Sequence, residues 1–559
     1  MNILSAADFN ILPGSSNCYP TLIQQALKQI PEGSCLRFLP GTYNFLPGNA
    51  IPFSLCVSNS EQQDTLYGAV FGEGLHNITL DWQGSQLLFH EDLSPFVFLG
   101  CSNIQLQNVS VDWELPFSAE ATVAHSSENR ADIIIDPQRY PYRVHRGELL
   151  FAREDGTESP LFGVMEFDVH TRKARPEAGD TFPKVTASPV GPGMVRLNGE
   201  FSTPPKSGNI LVLRHGKRIH PGLLADHCSQ FQVSAVTMHH CCGLGMLFQF
   251  CRGVTASQVV FSPSTGREIF SGHDDGLHFS NCSGHLLIEH CGFWGLMDDP
   301  INVHGTSVRI LEISGPSSLR CGFIHPQSYG FSKWACPGDQ ISCLDRETLA
   351  PLGNMTVEHF QLLGEKEFLI TFSEPLPSTL VVGDALENLT NTPSVTCCYN
   401  HFGSCRARGM LVSTPLPVEI HHNLFESSGS AILIPGDANQ WYESGACHQV
   451  SIHDNVFWEC CTSQYQFCSG VISIEPEIPT PEKNTGFHEN ISVSNNTFIL
   501  QGKSPCLYAK CCTGLSFCGN TIFSPQPDSS LLQQEYCSEV YQEENHLTLL
   551  ATPGLSIQR

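Results

Sequence analysis

A right-handed parallel β-helix is the fold predicted for this 559-residue chain, and three observations carry that expectation. First, short segments recur that open on a small residue or Cys, continue with two polar residues and then alternate apolar and polar. They lie at residues 75–80, 101–106, 228–233, 251–256, 282–287, 447–452 and 512–517, and uninterrupted neighbours are offset by 26, 23 and 31 residues. A period in that range fits one turn of a solenoid whose like residues stack into ladders. Second, a ladder of Asn at bends follows: Asn423-Leu-Phe425, Asn455-Val-Phe457, Asn496-Thr-Phe498 and Asn520-Thr-Ile522. Asn tolerates a left-handed backbone and can bond its stacked neighbour's amide. Third, 47 Gly, 37 Pro and 34 Phe with only 15% charged residues make a turn-rich β composition.

Taken in order, residues 1–115 hold an N-terminal cap and the first coils. Leu22, Ile23, Ala26, Leu27 and Ile30 recur at helical spacing, and a helix laid over the open end of a β-stack covers its unpaired edge. Residues 116–222 break the period with β-prone runs and Gly/Pro turns, and so do residues 307–400. Both read as small inserted antiparallel, barrel-like β domains that wall a site on one face of the coil. Central coils occupy 223–306 and C-terminal coils 401–523, and the Gln/Glu-rich stretch 524–559 reads as a cap or tail.

The net charge of −26 argues against nucleic acid, anionic membrane or a polyanionic substrate as partner. There is no run of about 20 apolar residues to span a bilayer. The first residues lack a signal-peptide pattern, so the expectation is a cytoplasmic protein with reduced thiols. A leader preceding this numbering would make it secreted or periplasmic instead. The 25 Cys lack zinc-type C-x-x-C spacing, and at strand starts they read as small buried apolar residues. Oligomeric state is left open, a homodimer included.

The stretch 272–306 concentrates chemistry. Asp274-Asp275 and Asp298-Asp299 bracket it, and Asp275 and Asp299 are 24 residues apart. One coil apart, their strands would be about 4.8 Å from each other. Glycoside hydrolysis needs one carboxyl to protonate the leaving oxygen and one to activate water or attack the sugar, and crowding of like charges raises one pKa. Pro300 favours a bend that lets Asp298 and Asp299 both reach a cleft. Solvated turns or a Ca²⁺ site are the competing readings of such pairs. A sugar pocket also needs an aromatic platform and hydroxyl partners. Trp441 is the platform candidate, with Asp437, Asn439 and Glu443 in the same segment. His240, His278, Asn302, His304 and Arg408 are candidate donors, and Gln249 and Glu475 weaker ones. No H-x-x-x-H pair occurs among the 24 His, so no metal and no cofactor are expected.

The segments HDDGLHFSNC (273–282), MDDPINVHGT (297–306), RARGMLVSTP (406–415), AILIPGDANQWYESGA (431–446) and ISIEPEIP (472–479) together resemble glycoside hydrolase family 110. These are α-1,3-galactosidases acting on terminal α-galactose of blood-group-B-type glycans. The resemblance spans most of the chain. It implies a β-helix and an inverting, metal-independent mechanism, with Asp298 as general acid and Asp275 and Asp299 as candidates to activate water. A polygalacturonase-like hydrolase or polysaccharide lyase on the same scaffold, or a non-catalytic carbohydrate-binding β-helix, are the alternatives. Lys and Arg total only 29, which speaks against an acidic polymer.

Overall fold

The computed structural model describes residues 2–15, 18–176, 178, 185–201, 203–463, 469–483, 486–525, 527 and 531–550. Its body is a parallel β-helix. One face is a 13-stranded sheet that runs in parallel through Ser94–Leu99, Leu223–Asp226, Met246–Gln249, Leu277–Ser280, Ile301–Thr306, Met410–Val412 and Ile432–Ile434. The remaining faces form a 22-stranded sheet. Strand alternation decides what faces where. Leu277 and Phe279 point into the core, so His278 and Ser280 point to the other side of the sheet, where both are still buried.

Like residues stack along the axis. The rings of Phe261, Phe293, Phe402, Phe425, Phe457 and Phe498 follow one another at centroid distances of 5.8, 5.2, 4.3, 5.2 and 4.7 Å. The Cys ladder is a hydrogen-bonding device as well as an apolar one. Cys228, Cys251 and Cys282 each donate Sγ–H to a carbonyl of the preceding coil, those of Phe98, Ala225 and Phe248, at 3.4, 3.3 and 3.2 Å. Burial pushes the Cys282 thiol up to about 12, and all 24 described cysteines are free.

The Asn ladder is longer than the sequence pattern suggests. It runs Asn400, Asn423, Asn455, Asn496, Asn520, Asn545, each Nδ2 donating to the next Oδ1 at 2.9–3.2 Å. The left-handed backbone does not fall on these residues. It falls on the residue before each: Tyr399, His422, Asp454, Asn495, Gly519 and Glu544, with φ between 54° and 67°. That residue turns the corner, and the Asn then points inward to bond along the stack.

The predicted cap is a helix, Tyr19–Gln29, with Pro20 in its first turn and Tyr19, Ile23, Ala26 and Leu27 buried. The first insert contributes an eight-stranded antiparallel sheet from Ser118–Ser127 to Ile210–His215, curled around Ile133, Phe167, Val195 and Leu213. The second is a closed six-stranded barrel from Val308–Gly315 to Ala385–Asn388, filled by Trp334, Phe368 and Ile370. Residues 532–549, read from their polarity as a cap or tail, form one more coil with strands Leu532–Glu535, Ser538–Glu543 and His546–Leu549. Their exposed Gln and Glu face outward, while Leu532, Val540 and Leu547 pack on the core. Residues 551–559 lie outside the described residues.

Candidate active site

The two acidic pairs sit in the turns that feed Leu277–Ser280 and Ile301–Thr306. These strands pair with Leu277 beside Ile301 and His278 beside Asn302. The same register extends back into the turns, where Gly276 N–H donates to the Asp299 carbonyl at 2.9 Å and Gly245 N–H to that of Asp275 at 2.7 Å. Asp275 and Asp299 are therefore stacked on adjacent coils. Asp275, Asp298 and Asp299 each place a carboxylate oxygen within 4.8 Å of the others.

Each carboxyl has a different set of partners. Asp299 is clamped by Arg408, whose Nε and Nη2 donate at 3.0 and 2.7 Å and whose backbone N–H donates at 2.9 Å. Asp298 accepts from Arg218 Nη2 at 2.7 Å, and Arg406 Nη1 approaches its other oxygen at 3.3 Å. Asp275 bonds His278 Nδ1 at 2.7 Å and lies 3.8 Å from Arg218. Asp274, its sequence neighbour, points elsewhere and is locked by His273, Arg214 and Arg218 at 2.7, 3.3 and 2.8 Å. Asp298 is the member nearest solvent, with its side chain 21% exposed against 5% for Asp275 and 3% for Asp299. Carboxylates spaced this closely could also hold a cation, but here guanidinium groups supply the counter-charge.

The electrostatics separate the four acids. Burial, and then the Asp298 charge, push the Asp275 carboxyl up to about 8. Asp298 is raised by burial and by Asp299. Asp299 is raised by burial despite Arg408. Burial works on Asp274 too, but Arg218 and His273 outweigh it and hold that carboxyl well below the usual range. Raised carboxyls beside a cleft are the environment in which an acid stays protonated near neutral pH. Arg218 is the hub. Burial opposes its charge, and Asp274, Asp275 and Asp298 more than offset that.

A cavity of about 580 Å³ opens beside this cluster, lined by Arg218, Asp274, Lys217, Phe162 of the first insert, and Trp441. Trp441 is 52% exposed, with the His325 ring 4.9 Å from its own. Asp437 does not reach toward a ligand. Its carboxylate collects the backbone N–H groups of Asn439, Gln440, Trp441 and Tyr442 and so fixes the loop that presents Trp441. Asn439 spends its amide on the Arg346 carbonyl at 3.1 Å. Glu443 accepts from Asn59 Nδ2 at 2.7 Å and lies 3.7 Å from His304. His278 and His304 are in contact through their Nε2 atoms at 2.9 Å.

Several candidates lie apart from the cluster. His240 is fully buried between coil and insert, where Nε2 accepts from Phe117 N–H at 2.8 Å and Nδ1 donates to the Ser271 carbonyl at 2.7 Å. Neither nitrogen is left for a sugar. Gln249 ties Ser58 N–H, the Cys56 carbonyl and Asp226 together at 3.0, 3.0 and 2.8 Å. Glu475 accepts from Ser469 at 3.0 Å. Sequence reasoning missed Arg218, Asp274's separate role, Arg406 and Asn59. Arg218 follows the last strand of the first insert, where no coil periodicity marks it.

Comparison with known proteins adds the following. Residues 119–211 match the GLAA-B beta-barrel domain I and residues 318–386 the GLAA-B beta-barrel domain II. The chain is 41% identical over 531 residues to alpha-1,3-galactosidase B of Bacteroides thetaiotaomicron, covering 93% of this chain and 86% of that protein. It is 33% identical over 527 residues to alpha-1,3-galactosidase B of Akkermansia muciniphila, covering 93% of this chain and 66% of the other. Among solved structures, a tailspike protein of E. coli bacteriophage HK620 in complex with pentasaccharide aligns over 98% of this chain and 66% of its own. That alignment has a TM-score of 0.48 and 10% identity, too distant for any residue to be carried across.

Proposed function

The chain belongs to the α-1,3-galactosidase family and is a glycosidase, and on that premise we propose that it is an exo-acting member of glycoside hydrolase family 110. Its substrate is a glycan ending in α-1,3-linked galactose, of blood-group-B or linear type, and its mechanism is inverting and metal-independent. The observation that carries this reading is the cluster of three raised carboxyls beside the Trp441 cavity.

Asp298, the most exposed of the three and bonded to the cavity-lining Arg218, serves as general acid. Protonated, it keeps Oδ2 as acceptor from Arg218 and holds its proton on the other oxygen. That proton passes to the glycosidic oxygen as the C1–O bond breaks. Water held by Asp275 and Asp299 attacks C1 from the opposite face and gives its proton to Asp275. Trp441 offers the platform for the apolar face of galactose. Arg408 favours the charged form of Asp299 against burial, at the place where positive charge develops on the sugar ring.

One observation favours a second reading. On a two-carboxylate rule, oxygens within 4.8 Å suit retention, with separations near 5–5.5 Å, better than inversion at about 6.5–9.5 Å. The test is incubation with EDTA and a terminal α-1,3-galactoside, with NMR of the first-formed sugar. Metal-independent release of β-galactose first, abolished in Asp298→Asn, is the expected result. Early α-galactose overturns inversion, and release unaltered in Asp298→Asn overturns the assignment.

A further inference from the structure

Behind Asp275 runs a line of hydrogen bonds that the reaction as described does not use. Asp275 Oδ2 lies 2.7 Å from His278 Nδ1, His278 Nε2 lies 2.9 Å from His304 Nε2, and His304 Nδ1 lies 2.6 Å from the Gly305 carbonyl. Both imidazoles are within 2% of full burial. Both stand on the outward side of neighbouring strands of the 13-stranded sheet.

The line can be counted for protons. A carbonyl only accepts, so His304 carries its proton on Nδ1. With the His304 ring neutral at rest, its Nε2 is a lone pair, and the facing Nε2 of His278 is the donor. If His278 is neutral, its Nδ1 is in turn a lone pair, and the hydrogen bond to Asp275 needs a proton on the carboxyl. If that proton sits on Nδ1 instead, the pair is carboxylate and imidazolium. Either way, one proton beyond the carboxylate and the neutral ring is shared between Asp275 and His278, and the pair is neutral overall. Glu443 stands at the far end, 3.7 Å from His304 Nε2, anchored by Asn59.

We propose that His278 and His304 are positioning residues that form a one-proton relay, holding Asp275 ready as base and draining the proton it takes from water toward Glu443. The inference rests on the reading that Asp275 receives the proton of the attacking water. As the water oxygen bonds to C1, that proton goes to Asp275 Oδ1. The shared proton settles on His278 Nδ1, and the proton of His278 Nε2 crosses to His304 Nε2. One proton has entered and one positive charge has moved to His304, facing the Glu443 carboxylate. Burial works against that carboxylate, but His304, His278 and Asn59 keep it below its ordinary range. The groups facing Asp275 are Asp298, Asp299, Arg218, Asp274 and Glu443, and those facing His278 are Asp275, His304, Glu443, Arg218 and Asp298. The neighbouring aspartates disfavour a negative charge on Asp275 beside their own, so sharing a proton with His278 is what keeps it available as base.

The test compares wild type, His278→Gln, His278→Ala and His304→Gln on a terminal α-1,3-galactoside, with kcat and KM followed across pH and folding checked by thermal melting. Gln at 278 keeps a hydrogen bond to Asp275 but cannot carry the proton. The expected result for His278→Gln is a kcat lower by about 30-fold or more, with KM within about threefold of wild type. The acidic limb of kcat/KM moves up by roughly one pH unit, because Asp275 loses the partner that bears positive charge. Added imidazole restores part of the rate of His278→Ala, and His304→Gln falls between. A His278→Gln enzyme with the wild-type kcat and pH profile, or with only a raised KM, overturns the relay and leaves His278 as a strut. If the 278 variants do not fold, His304→Gln decides by the same two readouts. An inactive wild type would overturn the proposed function itself, whereas an active wild type with unmoved variants overturns only the relay.

Discussion

Asp275→Asn should make the protein more stable in alkaline solution while destroying its activity. Asp275 is fully buried against Asp298 and Asp299, and its carboxyl is pushed from an ordinary 3.8 to about 8, by burial first and by Asp298 next. A group whose folded-state pKa is raised contributes stability below its unfolded value and loses that stability as pH rises through the folded one. The window is therefore pH 4 to 8. At about 1.4 kcal/mol per tenfold change in affinity for the proton, the full shift is worth roughly 5–6 kcal/mol. Burial is the larger cause of that shift and the coupled carboxyls share the rest, so the part that a single substitution relieves is on the order of 3 kcal/mol. Asn keeps the shape, and its amide can still donate to His278 Nδ1. For a chain of this size, 1 kcal/mol moves a global melting temperature by roughly 1 °C. Thermal melts of wild type and Asp275→Asn from pH 4 to 9 should coincide at the acid end. They should separate by about 3 °C at pH 8 and above, with the variant higher. A difference that is independent of pH, or a variant less stable than wild type at pH 9, would refute the account of Asp275 as a carboxyl whose charge burial and its neighbours oppose.

Two further outcomes follow from the packing. Asn455→Ala removes a rung in mid-ladder and leaves the Asn423 side-chain and backbone N–H donors without their acceptor; denaturant titration should show a loss of about 2–4 kcal/mol, far above that of an exposed Asn→Ala. Trp441→Ala should raise KM about tenfold or more and lower kcat by less, since an exposed platform binds ground state and transition state alike; steady-state kinetics would contradict this if kcat carried the loss.

What the sequence disclosed was what repeats. The 24-residue step from Asp275 to Asp299 could be read as adjacency because coil register is local: each strand finds its partner one period away. The Asn ladder was legible for the same reason, although its left-handed corner was assigned one residue too late. That assignment follows from composition, because Asn is the residue type associated with that backbone, while here His422 and Asp454 occupy the corner. Arg218 was not legible. It is brought to Asp274 and Asp298 by the way an insert docks on the coil, and docking has no period. His240 was misread because a buried ring that holds Phe117 and Ser271 together looks in sequence like a donor awaiting a sugar. Asp437, expected to hold a sugar hydroxyl, instead gathers backbone N–H groups so that Trp441 stands up.

The Arg408 clamp on Asp299 joins residues on either side of the second barrel, 109 positions apart. Both are pinned by strands that lie side by side, Ile301 against Met410. The next coil onward places Ile432 against Met410, so a chain threaded one turn out of step would set Ser430 where Arg408 belongs. A buried carboxylate would then be left with a hydroxyl for company. The clamp thus acts as a checksum on assembly: the stack reads its own register with a charge, and only a correctly wound copy has a working site. It also frees the barrel between those two residues to lengthen, shrink or be exchanged, because whatever the detour contains, the chain must come back to the same place.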